Sequence, residues 1–239
     1  MKKYSIYIML IAVLILLTGC MYPDEKLVEN QVPFEHQLDS VQQSVINFQE
    51  ANGGLLPIKT REMDTPIYQK YPVDFNKLIP RFIGEPPGSA FESGGVYVYV
   101  LVDVETDPKV KLFDLTITEK IRELKLRLDV YRRENGYPPV KDVIDTNIFT
   151  LDYEKLGMKE ELFVVSPFTG NNLPLVINNE VEVFVDYRID LYNALTNNKH
   201  SFKPGEDIRN ILVENSMFVP AHSAPYTINS ENEPIFLKK

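Results

Sequence analysis

The sequence predicts an α+β protein made of two tandem helix-plus-antiparallel-sheet units, followed by a C-terminal helix and hairpin. Three observations predict it. Apolar residues recur at helical spacing near residues 34–48 and 118–131, and strand-like runs stand at 96–104 and 181–192. A repeated phrase, "FQEANGGLLPIK" at 48–59 and "YRRENGYPPVK" at 131–141, follows each helical stretch. Hydrophobic content of 44% and charged content of 25% are those of an ordinary globular chain, so a packed core is expected.

The chain opens with "MKKYSIYIMLIAVLILLTGC": two lysines, an apolar run through Leu17, then small residues before Cys20. That is the layout of an export signal. The fifteen residues from Ser5 to Gly19 fall short of the roughly 20 that a spanning helix needs. Leu17-Thr18-Gly19-Cys20 resembles the lipobox of bacterial lipoproteins. The resemblance implies cleavage between Gly19 and Cys20, with diacylglyceride on the Cys20 sulfur as the membrane anchor. Cys20 is the sole cysteine, so the fold outside the cytosol must be stable without disulfides.

Removing residues 1–19 leaves 220 residues and, with Lys2 and Lys3 gone, takes the formal charge from −9 to −11. An acidic chain without clustered Lys and Arg is a poor nucleic-acid partner. Residues 20–33, polar with Pro near both ends, read as a tether.

The first unit, 34–117, begins with a helix whose stripe is Phe34, Leu38, Val41, Val45 and Phe48, with Gln42, Gln43 and Asn47 on other faces. Asn52-Gly53-Gly54 stops it, because Gly readily takes the left-handed conformation at helix ends. The second unit, 118–196, begins with a helix over about 118–134, capped by Thr118. Ile121, Leu124, Leu128 and Tyr131 share one face, while Leu126 and Val130 lie opposite, which predicts a helix covered on both sides. Asn135-Gly136 stops it as Asn52-Gly53 stops the first. "DFNKLI" at 74–79 then pairs with "DYEKLG" at 152–157, and "EPPGSAFESGG" at 85–95 more loosely with "VSPFTGNNL" at 165–173. "VYVYVLVDV" and "VEVFVDYRIDLY" close the two units as strand runs. In the tail, 197–239, Ile208, Ile211 and Leu212 predict a short helix within 207–218. "YTINSENEPIFL" predicts a hairpin packed on the second unit.

The order helix, Asn135-Gly136-Tyr137-Pro138, loop, then Ser166-Pro167-Phe168-Thr169-Gly170 with Pro174, looks like the globular domain of pilins and type II pseudopilins. It implies a pilin-like layout of a helix against an antiparallel sheet. Ser166 and Phe168 replace that family's Asp and Trp, and a lipobox stands where its N-terminal helix would be, so neither fibre assembly nor metal binding is carried over. Taken whole, including "FVPAHSAPYTINSENEPIFL" near the end, the chain resembles YphF-like lipoproteins of bacilli. That resemblance implies a Gram-positive envelope protein and supplies no chemistry.

No catalytic, cofactor or metal site is expected. His36, His200 and His222 lack helical metal-pair spacing, and no spare Cys is present for zinc. His222-Ser223 lacks the flanking glycines of a nucleophile elbow. "PPGSAFESGG" has no Lys or Ser/Thr at P-loop spacing and reads as a turn before a strand. Asp103, Glu105 and Asp107 alternate like part of a calcium loop, but the following Gly and the distal Glu are missing. Tyr68, Tyr71, Phe75, Phe82 and Phe91, in the Pro-rich stretch 57–95, form the candidate recognition surface. The competing reading is that these rings pin a long loop onto the sheet. The expected function is a membrane-anchored, non-enzymatic envelope interaction or scaffold module facing outside the cytoplasm, with an envelope protein as partner. The alternative is a solute-binding lipoprotein of a transporter.

Overall fold

The computed structural model describes residues 34–238; Gly19, Cys20 and the tether lie outside the described residues. Helix α1 (Phe34–Ala51) leads into a loop and the single-turn helix α2 (Phe75–Leu78), then strands β1 (Tyr97–Val102) and β2 (Lys109–Asp114). Helix α3 (Leu115–Asn135) follows, then β3 (Val140–Asp145), β4 (Ile148–Leu151), β5 (Phe163–Val165), β6 (Asn172–Asn178) and β7 (Val183–Val185). Helices α4 (Arg188–Asn197) and α5 (Asn210–Glu214) and strands β8 (Tyr226–Ile228) and β9 (Pro234–Phe236) complete the chain. Every named strand pair is antiparallel, which makes this an α+β fold.

The β1–β2 hairpin is buried on both faces. Tyr99, Leu101, Val110 and Leu112 pack with Val41 and Val45 of α1 in one core. Val100, Val102 and Phe113 point the other way, into a larger core with α3, β4, β6, β7 and the tail. Alternation along the pleat thus lets one hairpin serve two cores. Helix α1 is also fixed by polar contacts. Gln42 donates Nε2–H to the Pro108 carbonyl (3.0 Å) and accepts the Val110 amide (2.7 Å), while buried Ser44 donates to the Phe82 carbonyl (3.0 Å).

The repeated phrases occupy matching positions. Asn52 donates its side-chain amide to the Phe48 carbonyl (2.7 Å), and Asn135 does the same to Tyr131 (2.9 Å). Each thereby satisfies a carbonyl that a helix end leaves open. The Asp74 amide donates to the Pro57 carbonyl (2.7 Å) and the Asp152 amide to Pro139 (2.8 Å). Phe75 and Leu78 in one copy, Tyr153 and Leu156 in the other, are the buried pair that follows.

A third, shorter version emerges in the tail. Asn198 donates to the Ala194 carbonyl at the end of α4 (2.9 Å). Asp207 then precedes buried Ile208 and Ile211, repeating the Asp-apolar-x-x-apolar pattern of residues 74–78 and 152–156. A hairpin, β8–β9, closes this version too.

The tail also stitches the sheets together. The Leu112 amide donates to Met217 and the Val219 amide returns to Leu112 (2.8 and 3.0 Å), while the Val185 amide donates to His222 (3.0 Å). The segment 217–223 therefore bridges in parallel to β2 through Phe218 and, after a turn, to β7 through Ser223.

Three expectations are corrected. Helix α3 starts before Thr118, because Asp114 accepts the Thr116 amide (2.8 Å) and is the N-cap. Its second apolar face is bare: Leu126 and Val130 are 63% and 52% exposed, because α1 packs on β2 and α2 while α3 packs on β5 and β7. The run 181–192 is not one strand. After β7, the Asp186 carboxylate accepts the Arg188 amide (3.1 Å), and buried Leu191 and Leu195 of α4 follow its buried N-cap, Tyr187, at helical spacing. The tail helix falls within 207–218, as expected, and spans five residues.

Candidate functional site

A groove of about 600 Å³ opens at the β1–β2 turn, walled by residues 65–71, residues 101–106, and Asp207 and Asn210 from the tail. Each wall has a local cause. Pro66 precedes a 3-10 turn, Ile67–Gln69, which presents Tyr68 on the inner side and leaves Ile67 exposed. Tyr71 then joins the sheet, its carbonyl accepting the Leu101 amide (2.8 Å). The opposite wall is the β1–β2 turn, in which the Asp103 carbonyl accepts the amides of Thr106 and Asp107 (3.0 and 3.1 Å). Asp103 has φ +52°, a left-handed conformation that Asp tolerates better than most residues.

Arg209 ties the third wall to the first. Its guanidinium lies 5.3 Å from the centroid of the Tyr68 ring and is paired with Asp207 (2.6 Å). Burial pushes the Tyr68 phenol well above its usual pKa, with Arg209 opposing and Asp207 and Asp103 adding to the rise. Tyr68 is therefore a neutral donor at physiological pH. The groove offers aromatic and aliphatic surface from Ile67, Tyr68, Tyr71 and Val104, with carboxylates on Asp103, Glu105 and Asp207. Such a surface suits binding through apolar contact and charge-assisted hydrogen bonds.

The five predicted aromatics do not form one surface. Tyr68 and Tyr71 line the groove. Phe75 is buried against Tyr99 (ring centroids 5.7 Å), and Phe82 packs on Phe48 (5.4 Å), so these two pin the loop to the core. Phe91 lies outside the groove, 62% exposed. Asp207, Arg209 and Asn210 escaped the sequence reading of this site. The Asp-Ile-Arg-Asn-Ile match to residues 74–78 was the signal available.

The other sequence candidates have structural partners. His222 Nε2 meets the Thr118 hydroxyl, and the Ser223 hydroxyl donates to the Ala224 carbonyl (2.7 Å), so the two side chains do not address each other. No group of three or more His, Cys, Asp or Glu able to hold a metal occurs among the described residues. The "PPGSAFESGG" turn uses the Ser89 amide and hydroxyl on Gln37 Oε1 (3.2 and 2.7 Å). Buried Asp190 accepts hydroxyls from Ser166 (2.8 Å) and Thr169 (2.5 Å), which fasten the 166–170 turn onto α4. Burial raises the Asp190 pKa, and the two hydroxyls partly oppose the rise.

Residues 34–114 match the family model of the YphF family N-terminal domain. Through that domain, the chain is YphF-like. The match runs from the first residue of α1 to Asp114, the cap of α3, and so coincides with the first helix–hairpin unit. The YphF-family domain supplies two walls of the groove, and residues outside it supply the third. No curated protein and no solved structure matches the chain.

Proposed function

We propose that this YphF-like chain is a membrane-anchored envelope lipoprotein acting as a non-enzymatic interaction module, with the groove at the β1–β2 turn as its recognition surface. The observation that carries the reading is the convergence of three separate segments on one solvent-open groove bearing Tyr68 and Tyr71. Loop residues held by a rigid scaffold are where binding surfaces commonly lie. The lipobox-like Leu17-Thr18-Gly19-Cys20 supports the anchor, and no helix among the described residues is long and apolar enough to cross a membrane.

A groove of about 600 Å³ also lies in the size range of small-ligand sites, which keeps solute binding as the second reading. A photo-crosslinking amino acid at Ile67, on the groove wall, separates the two in intact cells. Val143, 70% exposed on β3, serves as the reference position. A discrete protein adduct from position 67 and none from position 143 supports the interaction module. No adduct at either site, with a solute raising the melting temperature of the purified protein, shifts the assignment to solute binding.

A further inference from the structure

Three apolar side chains stand exposed around the point where the chain enters the YphF-family domain: Phe34 (39%), Val96 (45%) and Phe91 (62%). Phe34 packs edge-on against Tyr97 (ring centroids 5.5 Å), and Tyr97 is bridged in parallel to Ala90. Val96 and Phe91 are each one residue from that bridged pair, so all three belong to one end of the domain. The neighbouring Glu92 carboxylate is paired with Lys59 (2.7 Å), which reduces the charge there.

The opposite end is equally defined. Strand β1 runs from Tyr97 to Val102 and delivers Asp103 to the groove, about 20 Å away at roughly 3.3 Å per residue. Helix α1 runs the same way, from Phe34 beside Tyr97 to Gln42 beside Pro108 and Val110.

Thirteen residues, 21–33, separate Cys20 from Phe34. Even fully extended, a chain of that length reaches at most about 45 Å. The body beyond it has a radius of gyration of roughly 17 Å for its length. A leash no longer than the body it holds keeps the attachment end nearest the anchor. We propose that this end rests on the bilayer interface through Phe34, Phe91 and Val96, and that the groove faces away from the membrane. The orientation rests on the lipid-anchor reading above. Aromatic and aliphatic side chains at the headgroup level are favourable there, and an acidic body needs no electrostatic attraction to stay.

The chain has no Trp and a single Cys, so both a reporter and a coupling site are unique. The chain beginning at Cys20 is coupled through that thiol to maleimide-headgroup lipids in phosphatidylcholine vesicles. Phe91→Trp, Val96→Trp and Ile67→Trp are compared with and without acyl-brominated lipid. The expected result is a blue shift and at least twofold quenching at positions 91 and 96, with solvent-like, unquenched emission at the groove position 67. Equal quenching at positions 67 and 91, or quenching at none, overturns the proposal. Because coupling imposes the anchor chemically, the outcome is independent of whether cells lipidate Cys20, which metabolic labelling decides separately.

Discussion

His222 Nε2 stands 2.9 Å from the Thr118 hydroxyl, tying the C-terminal segment to α3 across 104 positions of sequence. The ring also packs edge-on against Phe113 (5.6 Å), at the seam where the tail crosses from β2 to β7. Burial, with the Lys125 charge adding, lowers its pKa from 6.5 to about 4. A base depressed in the folded state contributes its stability fully above pH 6.5. That contribution declines as pH falls towards 4 and is gone below it. The loss is on the order of 3 kcal/mol across the window. His222→Asn keeps a side chain that accepts positive φ and removes the titration. Its urea-unfolding free energy should fall less steeply than wild type between pH 6.5 and 4. Parallel curves would assign the acid sensitivity to other groups.

Leu126 and Leu128 are two positions apart on α3 and face opposite fates. Leu128 is buried in the larger core and Leu126 is exposed. Leu128→Ala should cost about 2–5 kcal/mol, and Leu126→Ala within about 0.5 kcal/mol, as should Gln43→Ala on α1. Chemical denaturation of residues 34–239 measures all three, and equal losses at positions 126 and 128 would show the helix rotated.

Gly95 carries a steric demand that the sequence does not announce. A Cβ there would lie 2.2 Å from the backbone carbonyl of Ser89, whereas one at Gly88 meets nothing within 4 Å. Gly95→Ala should cost at least about 1–3 kcal/mol by overpacking against backbone that cannot swing aside. Gly88→Ala should be nearly neutral. Melting temperatures of the two variants give the comparison directly.

Deleting residues 219–239 removes the acceptor of the Val185 amide and the donor to the Leu112 carbonyl. It also removes Tyr226, whose hydroxyl donates to the Val185 carbonyl (3.2 Å) and accepts the Tyr187 amide (3.1 Å). Buried groups left unpaired cost about 1–3 kcal/mol each. The truncated protein should lose its cooperative transition and aggregate. An unchanged midpoint and slope would make the tail an appendage.

Cys20→Ser should abolish incorporation of a labelled fatty-acid analogue, since the thiol is the sole acceptor for diacylglyceride. Undiminished label in the variant would refute the anchor. Fractionation alone does not decide it, because an uncleaved signal can itself hold the chain at the membrane.

What the sequence determined by itself was local. Asn52 and Asn135 each reach a carbonyl four residues back, Asp74 and Asp152 each open a turn, and Ser230–Glu233 reverses the last hairpin. Interactions spanning four or five residues need only the residues themselves, so spacing reveals them. Where a face finds a neighbour is another matter. The periodicity of α3 displays Leu126 and Leu128 as equally apolar, and only the packing of α1 on the far side of β2 leaves Leu126 in water. The strand alternation of Val181–Val185 likewise gives no warning that the chain turns helical from Arg188, burying Leu191 and Leu195. The groove was the least legible feature. Tyr68 and Arg209 meet across 141 positions, brought together by a tail segment that bridges to β2 and β7. Such contacts close long loops, and their geometry belongs to the assembled cores rather than to any segment.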